Sequence, residues 1–231
     1  FKYPMIKAII FDLDNTLLDF MNMKKMAITA AVDGMVEAGL DVVPSEAYNK
    51  IVSLYESGGW ENQEILNDFL KEISGQVDYK FLAAGIVAYR RARDAALALY
   101  PGVQKTLIKL SKMGLKLAIV SDAPRREAWL RICYLNLHNF FDLVLTFDDI
   151  GKRKPSPKGF EMALKNFNLS PEEVLMVGDW PERDMEGAKR LGIKTIFAKY
   201  GDTFGTVESG ADWEAEDIFE IVNIVNSLNR D

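Results

Sequence analysis

Ile6-Lys-Ala-Ile-Ile-Phe11 runs straight into Asp12-Leu-Asp-Asn-Thr16. The first part is short, apolar and rich in β-branched residues, the pattern of a buried strand. The second part is acidic and ends that strand abruptly. Successive side chains of a strand alternate faces, so residues two apart, such as Asp12 and Asp14, share one. Here the chain turns, and both carboxylates can reach one small space from two angles. Two carboxylates that close together repel, which raises a pKa unless a cation is present.

Outward from this stretch the rhythm is first helical. Met21 to Ala38 carries Met, Ala, Val and Ile at helical spacing, Gly39 ends that run, and Pro44-Ser-Glu starts another. Further helices are expected near Glu61–Ser74 and Asp78–Leu99. From Pro101-Gly102 onward strands and helices alternate. A helix at Val103–Met113 leads to the strand Leu115–Ser121, and a helix at Arg125–Leu135 leads to the strand Leu143–Phe147. A helix precedes Val174–Gly178, Glu182–Leu191 is helical, and Thr195–Ala198 precedes a last helix near Ala215–Leu228. Ser170-Pro-Glu-Glu173 is a capping box. Alternation of this kind implies a parallel sheet covered on both faces. The predicted class is α/β, a Rossmann-like parallel sheet core with an inserted helical cap. Residues 1–18 and 99–231 form the core, and 19–98 form the cap.

Bulk properties narrow the function. The net charge of −6 comes without any basic run beyond short clusters such as Lys152–Lys154, which speaks against nucleic acid as a partner. No segment is apolar enough over a sufficient length to span a bilayer. The first apolar run is interrupted at Phe11-Asp-Leu-Asp14, so no signal-peptide pattern is read and a cytoplasmic location is expected. A monomer or homodimer is expected. The single cysteine, Cys133, lies in the apolar stretch Trp129–Leu135 and reads as a buried, inert thiol. His138, the only histidine, and Asp142 lie nearby without forming a recognisable site, so a Cys-His or Ser-His-Asp mechanism has little to work with.

Four polar clusters fall at or just past the ends of predicted strands, the edge where open α/β sheets bind ligands. They are Asp12-x-Asp14-x-Thr16, Ser121, Lys154, and Gly178-Asp179 followed by Asp184. Asp179 brings a third carboxylate toward Asp12 and Asp14. Three carboxylates on one cleft suggest a hard divalent cation held by oxygen, and Mg²⁺ uses few carboxylates together with water and phosphate.

In this order and on this scaffold, Asp12-Leu-Asp-Asn-Thr-Leu17, Ser121, Lys154-Pro155 and Gly178-Asp179…Asp184 resemble the four motifs of the haloacid dehalogenase-like superfamily. The insertion between the first and second motifs resembles the helical C1 cap of subfamily I. The resemblance implies a Mg²⁺-dependent phosphatase acting on a small phosphorylated metabolite through an aspartyl-phosphate. It makes Asp12 the nucleophile and Asp14 the general acid and then base. Thr16 and Ser121 bond the phosphoryl oxygens or hold the loop, and Lys154 neutralises charge on the nucleophile and the phosphoryl group. Asp12, the backbone carbonyl of Asp14, and Asp179 would hold Mg²⁺, with Asp184 orienting metal-bound water. Asp122 departs from the family, where Asn often follows the Ser or Thr.

Other readings share these residues. A phosphomutase of the β-phosphoglucomutase type would use the same Asp pair, and a 2-haloacid dehalogenase would need neither Asp14 nor Mg²⁺. A phospho-acceptor module without turnover would not need the acid two residues after the acceptor. Gly58-Gly59-Trp60 reads as a substrate-contacting loop or as a turn with its aromatic packed on the next helix. Tyr89–Arg93 reads as a cationic patch or a solvated face, and Arg125 and Arg126 as residues near the cleft. Trp180 follows Asp179 as a cap contact or core residue, and Met21, Met23 and Met26 read as cap core.

Overall fold

The computed structural model describes residues 5–230. The chain divides into two compact units. One runs to Asp19 and resumes at Ala98; the other is Phe20–Leu97.

The first unit is built on a six-stranded parallel sheet. Strand β1 (Ala8–Phe11) is fully buried, as its uninterrupted apolar run requires. The helices α1 to α4 of the second unit follow it: Phe20–Glu37, Pro44–Gly58, Ile65–Ser74 and Tyr79–Ala96. Back in the first unit come α5 (Val103–Lys112), β2 (Lys116–Val120), α6 (Arg125–Tyr134), β3 (Leu143–Leu145), the short α7 (Phe147–Ile150) and α8 (Lys158–Phe167). Then follow β4 (Val174–Gly178), the short α9 (Glu186–Lys189), β5 (Lys194–Ala198), β6 (Trp213–Ala215) and α10 (Glu220–Arg230). The strand order is β3-β2-β1-β4-β5-β6. The chain therefore works outward from β1 on one side, then crosses to the other. The crevice between the C-terminal ends of β1 and β4 is the switch point where such sheets bind ligands.

The register explains the burial. Ile10 lies beside Ala118 on β2 and Met176 on β4. These three pack with Ala8, Val120, Phe160 of α8 and Ala188 of α9 in one apolar cluster. The alternate positions Ile9, Phe11, Leu117, Ile119 and Val177 are equally buried. Both faces of the sheet are thus covered.

The first unit closes on itself where the second leaves it. Asp19 donates its backbone N–H to Ala98 O at 3.2 Å, and Tyr100 N–H to Leu17 O at 3.1 Å. Leu18 and Leu99 form an antiparallel bridge between these bonds.

The second unit has its own core. Ile28, Ala31, Val32 and Met35 of α1 pack with Ile51 and Tyr55 of α2, Phe69 of α3 and Leu82 of α4. Lys24 is 4 % exposed, an unusual place for an ammonium group. Its Nζ donates to Tyr89 Oη at 2.9 Å and lies 4.5 Å from the Tyr55 ring centroid. Trp60 stacks on Tyr55, their centroids 5.4 Å apart and their planes within 6°.

Several details differ from expectation. Strand β6 was not foreseen, because Trp213-Glu-Ala215 is too short for a period, and α10 starts at Glu220 rather than near Ala215. The capping box at Ser170 is formed but heads a single 3-10 turn, Pro171–Glu173. The stretch from Glu182 splits into a π-helical turn, Pro181–Met185, and α9. Cys133 is exposed, not buried. The buried stripe of α6 is Ala128, Arg131, Ile132, and the helical period turns Cys133 outward with Leu130 and Tyr134. Met26 is exposed for the same reason: the buried stripe of α1 is Met23, Ala27, Ile28, Ala31.

Candidate active site

Five of the sequence-selected side chains converge on one buried cluster. Lys154 Nζ donates to Asp12 Oδ1 at 2.5 Å and to Asp184 Oδ1 at 2.6 Å. Thr16 Oγ1 donates to Asp179 Oδ1 at 3.1 Å. One carboxylate oxygen each from Asp12, Asp179 and Asp184 lies within 4.8 Å of the others.

Local structure places each group. Asp12 is the residue after β1, its N–H bonded to Val177 O of the neighbouring strand. Asn15 then takes a left-handed φ of 58°, which reverses the chain. That turn rests against the backbone of Gly201, where a Cβ would lie 1.6 Å from Asn15 O. Only glycine fits there. Tyr200, next to it, donates its hydroxyl to Thr16 O at 2.9 Å. Asp179 follows β4, and Asp184 sits in the π-helical turn, pressed so close to Gly178 that a Cβ there would lie 2.4 Å from Asp184 Cγ. Asp184 Oδ2 accepts the Trp180 N–H at 3.1 Å, which fixes the carboxylate from behind.

Lys154 is held by its loop. Its N–H donates to Asp122 Oδ1 at 3.0 Å, and the Lys154-Pro155 peptide bond is cis. Asp122, the residue that departs from the family pattern, also accepts Arg183 at 3.5 Å. Ser121 is buried, and its Oγ accepts the Ala123 N–H at 3.1 Å, leaving the hydroxyl proton for another acceptor.

The electrostatics of the cluster are unbalanced. Burial pushes the Asp12 carboxyl up, Lys154 pulls it down, Asp184 adds to the rise, and the result is about 7. Burial and the charges of Asp12 and Asp184 likewise raise Asp179 well above the ordinary carboxylate range. Burial alone would lower Lys154, but Asp12, Asp184 and Asp122 outweigh it and hold it above its usual value. Three buried carboxylates around one ammonium leave negative charge uncompensated. An all-oxygen donor set with that deficit fits a hard divalent cation such as Mg²⁺.

Asp14 is placed differently. Its Oδ2 accepts from Arg131 Nη1 at 2.8 Å, and the Arg131 side chain is 8 % exposed. Arg131 was missed in the sequence. It shares a buried helical stripe with Ala128 and Ile132, and a charge on such a stripe is a usable signal. Arg125 and Arg126 do not join the cluster: both are exposed and pair with the half-buried Asp149 and Glu127. Trp180 packs against Phe204, centroids 4.5 Å apart, and under the Arg183 guanidinium at 3.6 Å.

A family profile described as Haloacid dehalogenase-like hydrolase matches residues 9–198. Over 230 residues the chain is 34 % identical to a Glyceraldehyde 3-phosphate phosphatase of Methanocaldococcus jannaschii, covering 98 % of this chain and 100 % of that protein. A protein of the same name from Pyrococcus furiosus is 38 % identical over 196 residues, 85 % of this chain and 82 % of that one. Among solved structures, the HAD phosphatase from Thermococcus onnurineus superposes with a TM-score of 0.72 at 26 % identity, covering 95 % of this chain and 98 % of that chain.

Proposed function

This chain belongs to the haloacid dehalogenase-like hydrolase family, and from that premise we infer that it hydrolyses small phosphate monoesters through an aspartyl-phosphate on Asp12. The observation that carries this reading is Lys154 Nζ between Asp12 Oδ1 and Asp184 Oδ1, among three carboxylates.

A carboxylate approaching a phosphate dianion meets like charge, which must be offset before attack. Lys154 supplies one positive charge at the nucleophilic oxygen. Asp12, Asp179 and the backbone carbonyl of Asp14 would hold Mg²⁺, with Asp184 orienting its water; when bound, the ion supplies the remaining positive charge for nucleophile and phosphoryl group. Asp12 attacks phosphorus in line with the ester oxygen, the P–O bond to the alcohol breaks, and Asp14 gives that oxygen its proton. Asp14, now ionised, takes a proton from water, whose oxygen attacks phosphorus and releases Asp12 and inorganic phosphate. The Ser121 hydroxyl donates to a phosphoryl oxygen, stabilising the transferring group. Thr16, whose hydroxyl is given to Asp179, serves to hold the acidic cluster.

The helical unit Phe20–Leu97 is assigned the part of a cap that selects the leaving group. The names of the two relatives put glyceraldehyde 3-phosphate first among substrates to test. The test is phosphate release from para-nitrophenyl phosphate and from glyceraldehyde 3-phosphate, with Mg²⁺ and with EDTA, for wild type and Asp12→Asn. Release that needs Mg²⁺ and disappears in the variant is expected. Metal-independent release that survives Asp12→Asn would overturn the mechanism. Transfer between sugar positions without net phosphate release would shift the reading to a mutase.

A further inference from the structure

We propose that Arg131 is the positioning residue for the acid–base carboxylate of Asp14, an inference that rests on the phosphatase reading above. The two residues are far apart in sequence, yet Arg131 Nη1 meets Asp14 Oδ2 at 2.8 Å. Arg131 projects from the buried stripe of α6, beside Ala128 and Ile132, where an apolar side chain would satisfy packing alone. Taking a guanidinium out of water is costly unless it is paired, so an arginine at this position has to be accounted for by what it contacts. Among its contacts is the catalytic carboxylate that lies outside the Lys154 cluster.

The acid–base group has to be aimed differently from the nucleophile. Asp12 is fixed by Lys154 and by its backbone bond to β4. Asp14 lies in the turn that follows and must face the leaving oxygen in one step and a water in the next. A carboxyl group can accept from Arg131 through Oδ2 in both protonation states, while the proton resides on Oδ1. Arg131 therefore anchors one oxygen and fixes the direction of the other. Misplacing a reacting group by about 1 Å can cost about 100-fold in rate.

This role has a readout that a purely structural residue would not move. An alkoxide needs its proton as the P–O bond breaks, whereas para-nitrophenolate leaves without one. The parameter kcat/KM covers events up to the first irreversible step, so it isolates the acid role of Asp14 from its later role as base. The ratio of kcat/KM for glycerol phosphate to that for para-nitrophenyl phosphate, measured on one preparation, is independent of how much of a variant has folded. For Arg131→Gln that ratio should fall about 100-fold, the range expected when general acid catalysis is lost. Arg131→Lys should recover it to within about tenfold of wild type, since an ammonium can still reach a single carboxylate oxygen. Adding Arg131→Gln to Asp14→Asn should lower the ratio no further than Asp14→Asn alone, because the two act as one unit.

Equal losses on both esters, as from a phosphate contact or a general packing defect, would overturn the proposal. So would losses from Arg131→Gln and Asp14→Asn that multiply. Wild type that releases phosphate from neither ester would remove the phosphatase reading itself, and this inference with it. Active wild type with an unchanged ratio in Arg131→Gln would remove this inference alone.

Discussion

Two lysines are buried among the described residues, one in each unit, and the contacts around them differ in kind. Lys154, in the sheet unit, sits between two carboxylates at 2.5 and 2.6 Å. Lys24, in the helical unit, lies among the rings of Tyr55, Phe20 and Tyr89 and bonds a tyrosine hydroxyl. A charge met by charges raises the local potential and tunes reactivity. Ring faces and a hydroxyl put polarisable surface beside a charge, an arrangement suited to packing. The comparison teaches that burial of a cation is not itself a functional mark; its partners are.

The sharpest test removes each charge in turn. Lys154→Met should lower kcat for para-nitrophenyl phosphate with Mg²⁺ by about 1,000-fold or more, as loss of a transition-state cation does elsewhere. Lys24→Met should keep that activity within about threefold, in line with a residue outside the chemistry. A loss of equal size in Lys24→Met would break the comparison.

Next in size is Gly201→Ala. The added Cβ would fall 1.6 Å from Asn15 O, so the turn carrying Asp12 and Asp14 has to move. A drop in kcat/KM of about 100-fold is expected, together with a lower Tm, because displacement of Asp12, the proposed nucleophile, by about 1 Å has that cost. Activity like that of wild type would show that the turn tolerates movement.

A pH series on metal-free protein probes the unbalanced charge. Asp12 is raised from 3.8 to about 7 in the folded state. Between those values the folded form holds a proton that the unfolded form has released, so stability falls as pH rises. Asp12→Asn lacks this dependence. Its Tm advantage over wild type should therefore grow from pH 4 to about pH 7 and level off above. Saturating Mg²⁺ should shrink that advantage, because the ion stabilises the ionised wild type by mass action. Differential scanning fluorimetry across pH, with and without Mg²⁺, checks both signs; an advantage that shrinks as pH rises would mean that Lys154 outweighs burial at Asp12.

The smallest effect is on the helical unit. Lys24→Met should lower Tm by only about 4 °C, the equivalent of one or two cation–π contacts in a chain of this size. A much larger fall would mean that Lys24 organises its unit as Lys154 organises the site.

Much of this was legible in the sequence for an identifiable reason. The residues of the Lys154 cluster follow strands, and strands announce themselves by apolar runs and by their spacing from helices. β4 was read at its observed bounds, Val174–Gly178, because five apolar or small residues sit between a capping box and an acidic turn. What escaped was set by tertiary placement. Arg131 meets Asp14 across 117 positions, and nothing local on α6 reports the partner. Cys133 and Met26 were misread because an apolar neighbourhood was taken for burial, whereas helical phase decides it. The role of Asp122 depended on a loop 32 residues away.

The paired stem at Asp19 and Ala98 has a consequence for how this chain can change. Its hydrogen bonds lie within the sheet unit, so the sheet unit itself brings the two ends of the helical segment together. Closing a loop costs little more as the loop lengthens, about 0.6 kcal/mol for each doubling. A splice at this seam can therefore accept segments of very different size at almost constant entropic penalty. If the helical unit selects the leaving group as proposed, the stem is a grafting point at which substrate preference can drift while the chemistry of the sheet unit is kept.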